Sequence, residues 1–304
     1  MGQPPRILYI TGMGRSGTTL LDRLLGQVPG FVSVGELRFI VERGLVENQL
    51  CGCERRIREC PFWQAVFVEA FGGMSFDSSD LAAFAKGTRT RHIPAMLAFG
   101  MRGILSEGVK RGRDQMVRLY EAILAVSGRE VVVDSSKYPT TALALGMSDD
   151  LDLRLLHVVR DPRAVANSWA HPKIDRNLHQ PVPMKSLPLW VIVPQWDIWN
   201  GFAERVGGAI GSYLRLRYED LVAQPAASLQ LVLRFSDLDD PLTFLSADSA
   251  DVQGSHMISG NPSRFDVGRV QITEDSSWKG SMSVTEQRLA SILSVGWRRH
   301  YGYP

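Results

Sequence analysis

Short apolar runs alternate along the chain with longer segments whose apolar positions recur every three or four residues. Ile7-Leu8-Tyr9-Ile10 closes the stretch Arg6–Thr11 and reads as a buried strand. After a loop from Gly12 to Gly17, Leu20, Leu21, Leu24 and Leu25 share one side of a helix expected over Thr18–Gln27. Further strands are expected at Phe31–Val34, Glu130–Asp134, Leu153–Val159 and Tyr213–Tyr218. Helices are expected from Pro162 through Trp169, over Trp196–Val206, over Ala226–Phe235 and over Ser283–Arg298. Strands that are nearly all apolar and alternate with helices predict an α/β fold, a central parallel sheet covered by helices on both faces. Two stretches interrupt the alternation. Residues 62–127 hold helical patterns broken by Gly72-Gly73, and in 171–195 the prolines 172, 181, 183, 188 and 194 are expected to break regular structure. Residues 246–282 read as irregular, and nothing resembles a linker, so one domain over 1–304 is expected, with helical patterns in the insertion 62–127 and a long surface excursion as the insertion 171–195.

Composition narrows the class. Lys+Arg 34 against Asp+Glu 32 leaves a net charge of +2, which argues against a nucleic-acid binder. No apolar run reaches the roughly 18–20 residues that span a bilayer, and the first stops at a Gly-rich loop, so a cytoplasmic protein without a membrane segment is expected. The three cysteines, Cys51, Cys53 and Cys60, exclude a disulfide-built scaffold. A closed zinc site needs four ligands, and no histidine lies near them in sequence. Structural thiols or one local disulfide are therefore expected, and no metal. Asp149, Asp150 and Asp152 read as a solvated loop rather than a magnesium site.

The candidate chemistry begins at Gly12-Met13-Gly14-Arg15-Ser16-Gly17-Thr18-Thr19, between a strand and a helix. Glycines let backbone N–H groups converge on an anion, and the helix N-terminus adds a positive end. Against the nucleotide-triphosphatase pattern G-x-x-x-x-G-K-[ST], Gly12 and Gly17 fit but Thr18 replaces the lysine, while Arg15 supplies a cation earlier. That argues against triphosphate hydrolysis and fits a loop holding one 5′-phosphate. Arg160, where an expected strand ends, and Ser168, eight residues on, are placed to share a second anion.

The segment Gly14–Leu20 resembles the 5′-phosphosulfate loop of sulfotransferases that use 3′-phosphoadenosine-5′-phosphosulfate, and Arg160 with Ser168 is similar to their 3′-phosphate motif. The resemblance implies a nucleotide-kinase-like fold and sulfuryl transfer to a hydroxyl acceptor without a metal. It assigns cofactor binding to Gly14, Arg15, Ser16, Gly17, Thr18, Thr19, Arg160 and Ser168. More weakly it adds Tyr218, which resembles a tyrosine near the adenine, and Asn261, Arg264 and Lys279, which resemble the late loop that closes over the nucleotide. Lys137, in Asp134-Ser135-Ser136-Lys137, resembles a lysine on the sulfuryl group in tyrosylprotein sulfotransferases. Glu36 in Glu36-Leu37-Arg38 resembles their catalytic Glu-x-Arg. Glu36, Arg15 and Lys137 are thus the implied catalytic set, with the Glu36 pKa expected to rise by burial and neighbouring cations limiting the rise. A helix-start role is the structural alternative for Glu36. Other family members use a histidine base, for which His171, His179 and His256 are candidates; His157, inside an apolar strand, reads as core. Cys51–Trp63 looks more like bacterial members acting on glycans, lipids or small molecules, and such acceptors are the expected partners. A nucleotide kinase of the same fold and a non-catalytic nucleotide-binding protein are the alternatives.

Overall fold

The computed structural model describes residues 3–94, 96, 106–171, 174–175 and 182–304. Parts of both expected insertions, and His179 with them, lie outside the described residues.

Five apolar segments form one parallel sheet: β1 (Arg6–Thr11), β2 (Phe31–Gly35), β3 (Val131–Lys137), β4 (Asp152–Val159) and β5 (Tyr213–Arg217), in the spatial order β2-β3-β1-β4-β5. Leu8, Ile10, Val133 and Leu156 face one buried layer and Ile7, Tyr9, Val132 and Leu155 the other, so near-continuous apolar strands are what a doubly covered sheet requires. Strand β1 lies centrally, and the chain leaves it to both sides. In open parallel sheets the crevice beyond the carboxyl ends of such strands is where ligands bind.

Helix α1 (Thr18–Leu25) starts directly after the loop and buries Leu21, Leu24 and Leu25. The first insertion supplies α2 (Pro61–Phe71), α3 (Ser79–Gly87) and α4 (Glu107–Ser127), which pack Trp63, Phe67, Phe84 and Tyr120 into one core. Helix α5 (Pro139–Leu145) follows β3, and α6 (Pro162–Ala170) follows β4 with Pro162 in its first turn.

Three expectations about elements are corrected. Helix α7 runs Leu189–Ile210 with Pro194 inside it, where the prolines were expected to exclude helix. A proline removes one donor, and here the carbonyl four residues back belongs to Trp190, itself 69% exposed and open to hydration. Residues 246–282 are not wholly irregular: Ser249–Val252 pairs antiparallel with Gly268–Gln271. The last helix breaks at Ser294 into Val284–Leu293 and Val295–His300, and its start carries a capping box between Ser283 and Glu286. No helix among the described residues is long and apolar enough to cross a membrane.

Candidate functional site

The carboxyl ends of all five strands open on one cleft of about 690 Å³. Its wall takes Arg15, Thr18 and Thr19 after β1, Glu36 after β2, Lys137 at the end of β3, Arg160 after β4 and Tyr218 after β5. Ser168, Asn261 and Gly260 complete the expected set within the wall.

The loop after β1 is held open by its glycines. A Cβ on Gly12, at φ +151, would sit 2.3 Å from the Val158 carbonyl oxygen. One on Gly17, at φ +87, would meet the Tyr218 ring at 2.4 Å. Arg15 itself holds a left-handed backbone, φ 77, a strained conformation for a residue with a side chain. Its carbonyl accepts a hydrogen bond from Arg160 Nη1 at 3.1 Å, and its guanidinium lies 5.5 Å from the Trp169 ring. Ser16 is fully buried at the base of the loop, and its hydroxyl has no partner among the described residues. An orphaned buried hydroxyl within a ring of loop amides is a fit for an anion.

Lys137 also has positive φ, 73, and its carbonyl locks the end of β3 to its surroundings. It accepts from Thr11 Oγ1 at 2.6 Å, Gly12 N at 3.3 Å and Trp199 Nε1 at 3.3 Å. The Lys137 ammonium donates to Glu36 Oε1. Arg43 Nη1 stands 3.5 Å from Glu36 Oε2, and Ser259 Oγ donates to the same oxygen at 3.4 Å. Gly35, at φ +73, lets the chain turn here, because a Cβ would lie 2.5 Å from the Ile258 carbonyl oxygen. Glu36 N then donates to that oxygen at 2.8 Å. Glu36 precedes a 3₁₀ turn, Leu37–Phe39, and its side chain makes no capping bond to it.

The electrostatics of Glu36 depart from expectation. Burial raises its pKa, but Lys137, Arg43 and the hydrogen bond from Lys137 outweigh burial, and the net shift is below the ordinary 4.5. Two cations at contact distance win over desolvation, so the carboxylate is ionised and accepts only. Burial pulls the Arg15 pKa down, and Glu36 opposes this.

Arg160 stacks 4.4 Å over the Tyr218 ring and pairs with Asp275 at 3.1 Å. Its Nε is buried without a partner among the described residues. Three expected contacts are not in the wall. Ser16 lies beneath it. Arg264 is buried, with Nη2 donating to the Leu50 carbonyl at 2.8 Å, and its charge helps to lower the Glu36 pKa. Lys279 is 62% exposed and faces Glu274 at 3.9 Å, because the short helix that carries it turns its side chain to solvent.

The cleft contains residues that no motif announced: Phe39, Arg43, Thr90, Tyr138, Met184, Lys185, Gln195, Trp169 and Trp199. From sequence the two tryptophans, with Trp63, Trp190 and Trp196, could line an acceptor pocket, though helical spacing favours a core; of the five only Trp63 and Trp196 are fully buried. Arg38, the second charge of Glu-x-Arg, is outside the cleft: it stacks 4.1 Å from Tyr138 and donates to the Ala85 carbonyl, tying α3 to the site. Of the histidines, His157 is buried and bonded to Asn200 Oδ1 at 2.9 Å, and burial takes its pKa down to about 4. His171 is exposed, with Nδ1 3.0 Å from the Asn167 carbonyl oxygen. His256 sits instead among the cysteines. Its Nδ1 is 3.3 Å from Cys60 Sγ and 3.7 Å from Cys51 Sγ. The argument against a metal, that a fourth ligand is missing, therefore fails: folding brings it from 196 residues away.

Comparison with known proteins agrees with the fold. Residues 5–63 match the Sulfotransferase family. The chain superposes on the sulfotransferase domain from the Synechococcus PCC 7002 olefin synthase with a TM-score of 0.58 at 19% identity, covering 100% of this chain and 97% of that one. The sulfotransferase domain from the curacin biosynthetic pathway gives 0.52 at 20% identity, covering 96% and 99%. No curated protein matches the sequence. The chain thus shares the fold of these sulfotransferase domains, and its first strand, the Gly12–Thr19 loop and Glu36 lie within the segment that matches the Sulfotransferase family.

Proposed function

We propose that this protein transfers a sulfuryl group from 3′-phosphoadenosine-5′-phosphosulfate to a hydroxyl of a small-molecule, lipid or glycan acceptor. The observation that carries this reading is the convergence of an ionised carboxylate, Glu36, with Arg15 and Lys137 beside an anion-shaped loop in one cleft. The loop amides and Ser16 bind the donor's 5′-phosphosulfate. Arg160 and Ser168 bind its 3′-phosphate, Arg160 leaving Asp275, and Tyr218 and Asn261 line the nucleotide's place. Bound donor supplies an electrophilic sulfur with a phosphate leaving group.

Glu36 takes the proton of the acceptor hydroxyl as that oxygen bonds to sulfur and the bond from sulfur to the 5′-phosphate oxygen breaks. Arg15 and Lys137 hold the sulfonate oxygens, the charge stabilisation on which such transfers depend. As Lys137 turns to the sulfonate, one of the three cations that hold the Glu36 pKa down is withdrawn, so donor binding itself makes Glu36 a stronger base. The Phe39, Tyr138 and Trp199 surface holds the acceptor, with the insertions 62–127 and 171–195 supplying the rest of its site. Thr18 in the wall, at the lysine position of triphosphate loops, weighs against a kinase.

The test is incubation of purified protein with sulfur-labelled donor and a panel of hydroxyl acceptors, with EDTA present. Label transferred to an acceptor, and lost in Glu36→Gln, is expected. Phosphoryl transfer from ATP that requires Mg²⁺ would overturn the reading.

A further inference from the structure

The strongest feature that the cleft chemistry does not use is the side-chain cluster of Cys51, Cys53, Cys60 and His256. Its four donor atoms all lie within 4.8 Å of one another. We propose that this cluster is a structural zinc site of the Cys₃His type, with His256 ligating through Nδ1.

Three of the six donor separations lie close to those of a tetrahedron around one ion. Zinc–sulfur bonds of about 2.3 Å and zinc–nitrogen bonds of about 2.0–2.1 Å place the edges of such a tetrahedron at roughly 3.5–3.8 Å. Cys53 Sγ and Cys60 Sγ are 3.6 Å apart, Cys51 Sγ and His256 Nδ1 3.7 Å, and Cys60 Sγ and His256 Nδ1 3.3 Å. All three cysteines are free thiols. Three sulfurs and one imidazole select zinc over magnesium, calcium or manganese, which take oxygen ligands.

The backbone is built to present these donors. Glu54, at φ 64, turns the chain sharply after Cys53, and its N–H bonds the Cys51 carbonyl at 2.8 Å. Gly52 allows the turn to press on the partner segment, since a Cβ there would lie 2.7 Å from the Ser255 carbonyl oxygen. The histidine is fixed from outside: Phe62 stacks on its ring at 4.5 Å, and Trp63 Nε1 donates to its carbonyl at 3.0 Å. Oriented ligands of this kind are what a metal site needs around it. Cys51 and Cys60 are fully buried, and four protein ligands leave no open position, which marks a structural rather than a catalytic ion.

The ion would join two segments far apart in sequence. The segment that begins at His256 continues through Ile258, which holds the backbone of Gly35 and Glu36, to Ser259, which donates to the Glu36 carboxylate, and Gly260 and Asn261 in the cleft wall. The zinc would thus brace the late loop from behind, about five residues from the reacting groups, without touching substrate.

The test is elemental analysis of the purified full-length chain after dialysis, with cobalt substitution as a second measurement. About one zinc per chain is expected, with visible d–d and thiolate charge-transfer bands from the cobalt form. Cys60→Ser should lose the ion and melt at lower temperature, whereas His256→Cys, which keeps four ligands, should retain it. If Cys60→Ser does not fold, the wild-type cobalt spectrum still decides. A protein from zinc-supplemented medium that contains no zinc and takes up cobalt without thiolate bands would overturn the proposal. So would a Cys53–Cys60 disulfide found by mass spectrometry. These readouts do not involve sulfuryl transfer, so they stand or fall apart from the activity.

Discussion

The two sets of residues that share the cleft are assembled in opposite ways. The proposed nucleotide set (the Gly12–Thr19 loop, Arg160 with Ser168, and Tyr218) stands on three adjacent strand ends, each as a motif of nine residues or fewer. The proposed acceptor set draws Phe39 and Arg43 from the turns after β2, Thr90 from the first insertion, Tyr138 from the start of α5, Met184 and Lys185 from the second, and Trp199 from mid-α7. Rigid parallel strands fix the first set through backbone hydrogen bonds. The second is fixed by side-chain packing among elements whose mutual placement the strands do not dictate. The donor half should therefore respond to substitutions as a unit, and the acceptor half residue by residue.

The sharpest division between the halves is Glu36→Gln, which keeps shape and removes the proton acceptor. Turnover is expected to fall about two to four decades, with calorimetric affinity for 3′-phosphoadenosine-5′-phosphate nearly unchanged. Near-normal turnover would remove Glu36 as the base. Next in size, Arg160→Ala should erase the preference for that bisphosphate over AMP. A charge-assisted contact of about 1.5–3 kcal/mol corresponds to one to two decades in affinity. Equal affinities in the parent protein would refute the Arg160 and Ser168 assignment. In the other half, Trp199→Ala should raise the acceptor KM several-fold, on the order of 1–2 kcal/mol, and leave nucleotide affinity in place. A parallel loss of both would mean that the two halves are not separable.

The pH dependence is the smallest effect and has a definite sign. The Glu36 pKa lies below 4.5 in the folded chain, so the stability its ion pairs add is present above the unfolded value and lost as pH falls through the lowered one. In kcat/KM, which reports the free enzyme, no loss from Glu36 is expected between neutrality and about pH 5. An acid limb near neutrality that vanishes in Glu36→Gln would show that burial, not Lys137 and Arg43, sets its charge.

The same contrast explains what could be read from the sequence. The five strands and the phosphate loop were legible, because buried parallel strands are continuously apolar and the loop's need for glycine is local. Glu36, Lys137 and Tyr218 were singled out by the resemblance, and the structure sets all three at strand ends around one cleft. The sign of the Glu36 shift did not, because Arg43 reaches it from the π-helical stretch Ile40–Val46, and no spacing rule predicts that geometry. Trp169 and Trp199 carried no signal that separates a cleft wall from a core. His256 was invisible as a partner of the cysteines, since long-range pairings such as those of Ile258 with Gly35 and Cys51 bring that segment across. Lys279 stands outside the cleft wall for the converse reason: a resemblance singled out the residue, but helix phase decides which way a side chain points.

The hydrogen bond from Arg160 to the Arg15 carbonyl gives the nucleotide half a thermodynamic character of its own. Arg15 occupies a strained backbone state, and the donor that helps hold it there belongs to the residue expected to read the far phosphate. Under the proposed function, anchoring Arg160 on a 3′-phosphate therefore stiffens the loop proposed to grip the 5′ end. Contacts that share a partner in this way commonly couple by about 0.5–3 kcal/mol. A nucleotide lacking the 3′-phosphate forfeits that contact and also meets a looser grip at its other end, so discrimination is cooperative rather than a sum of two independent recognitions.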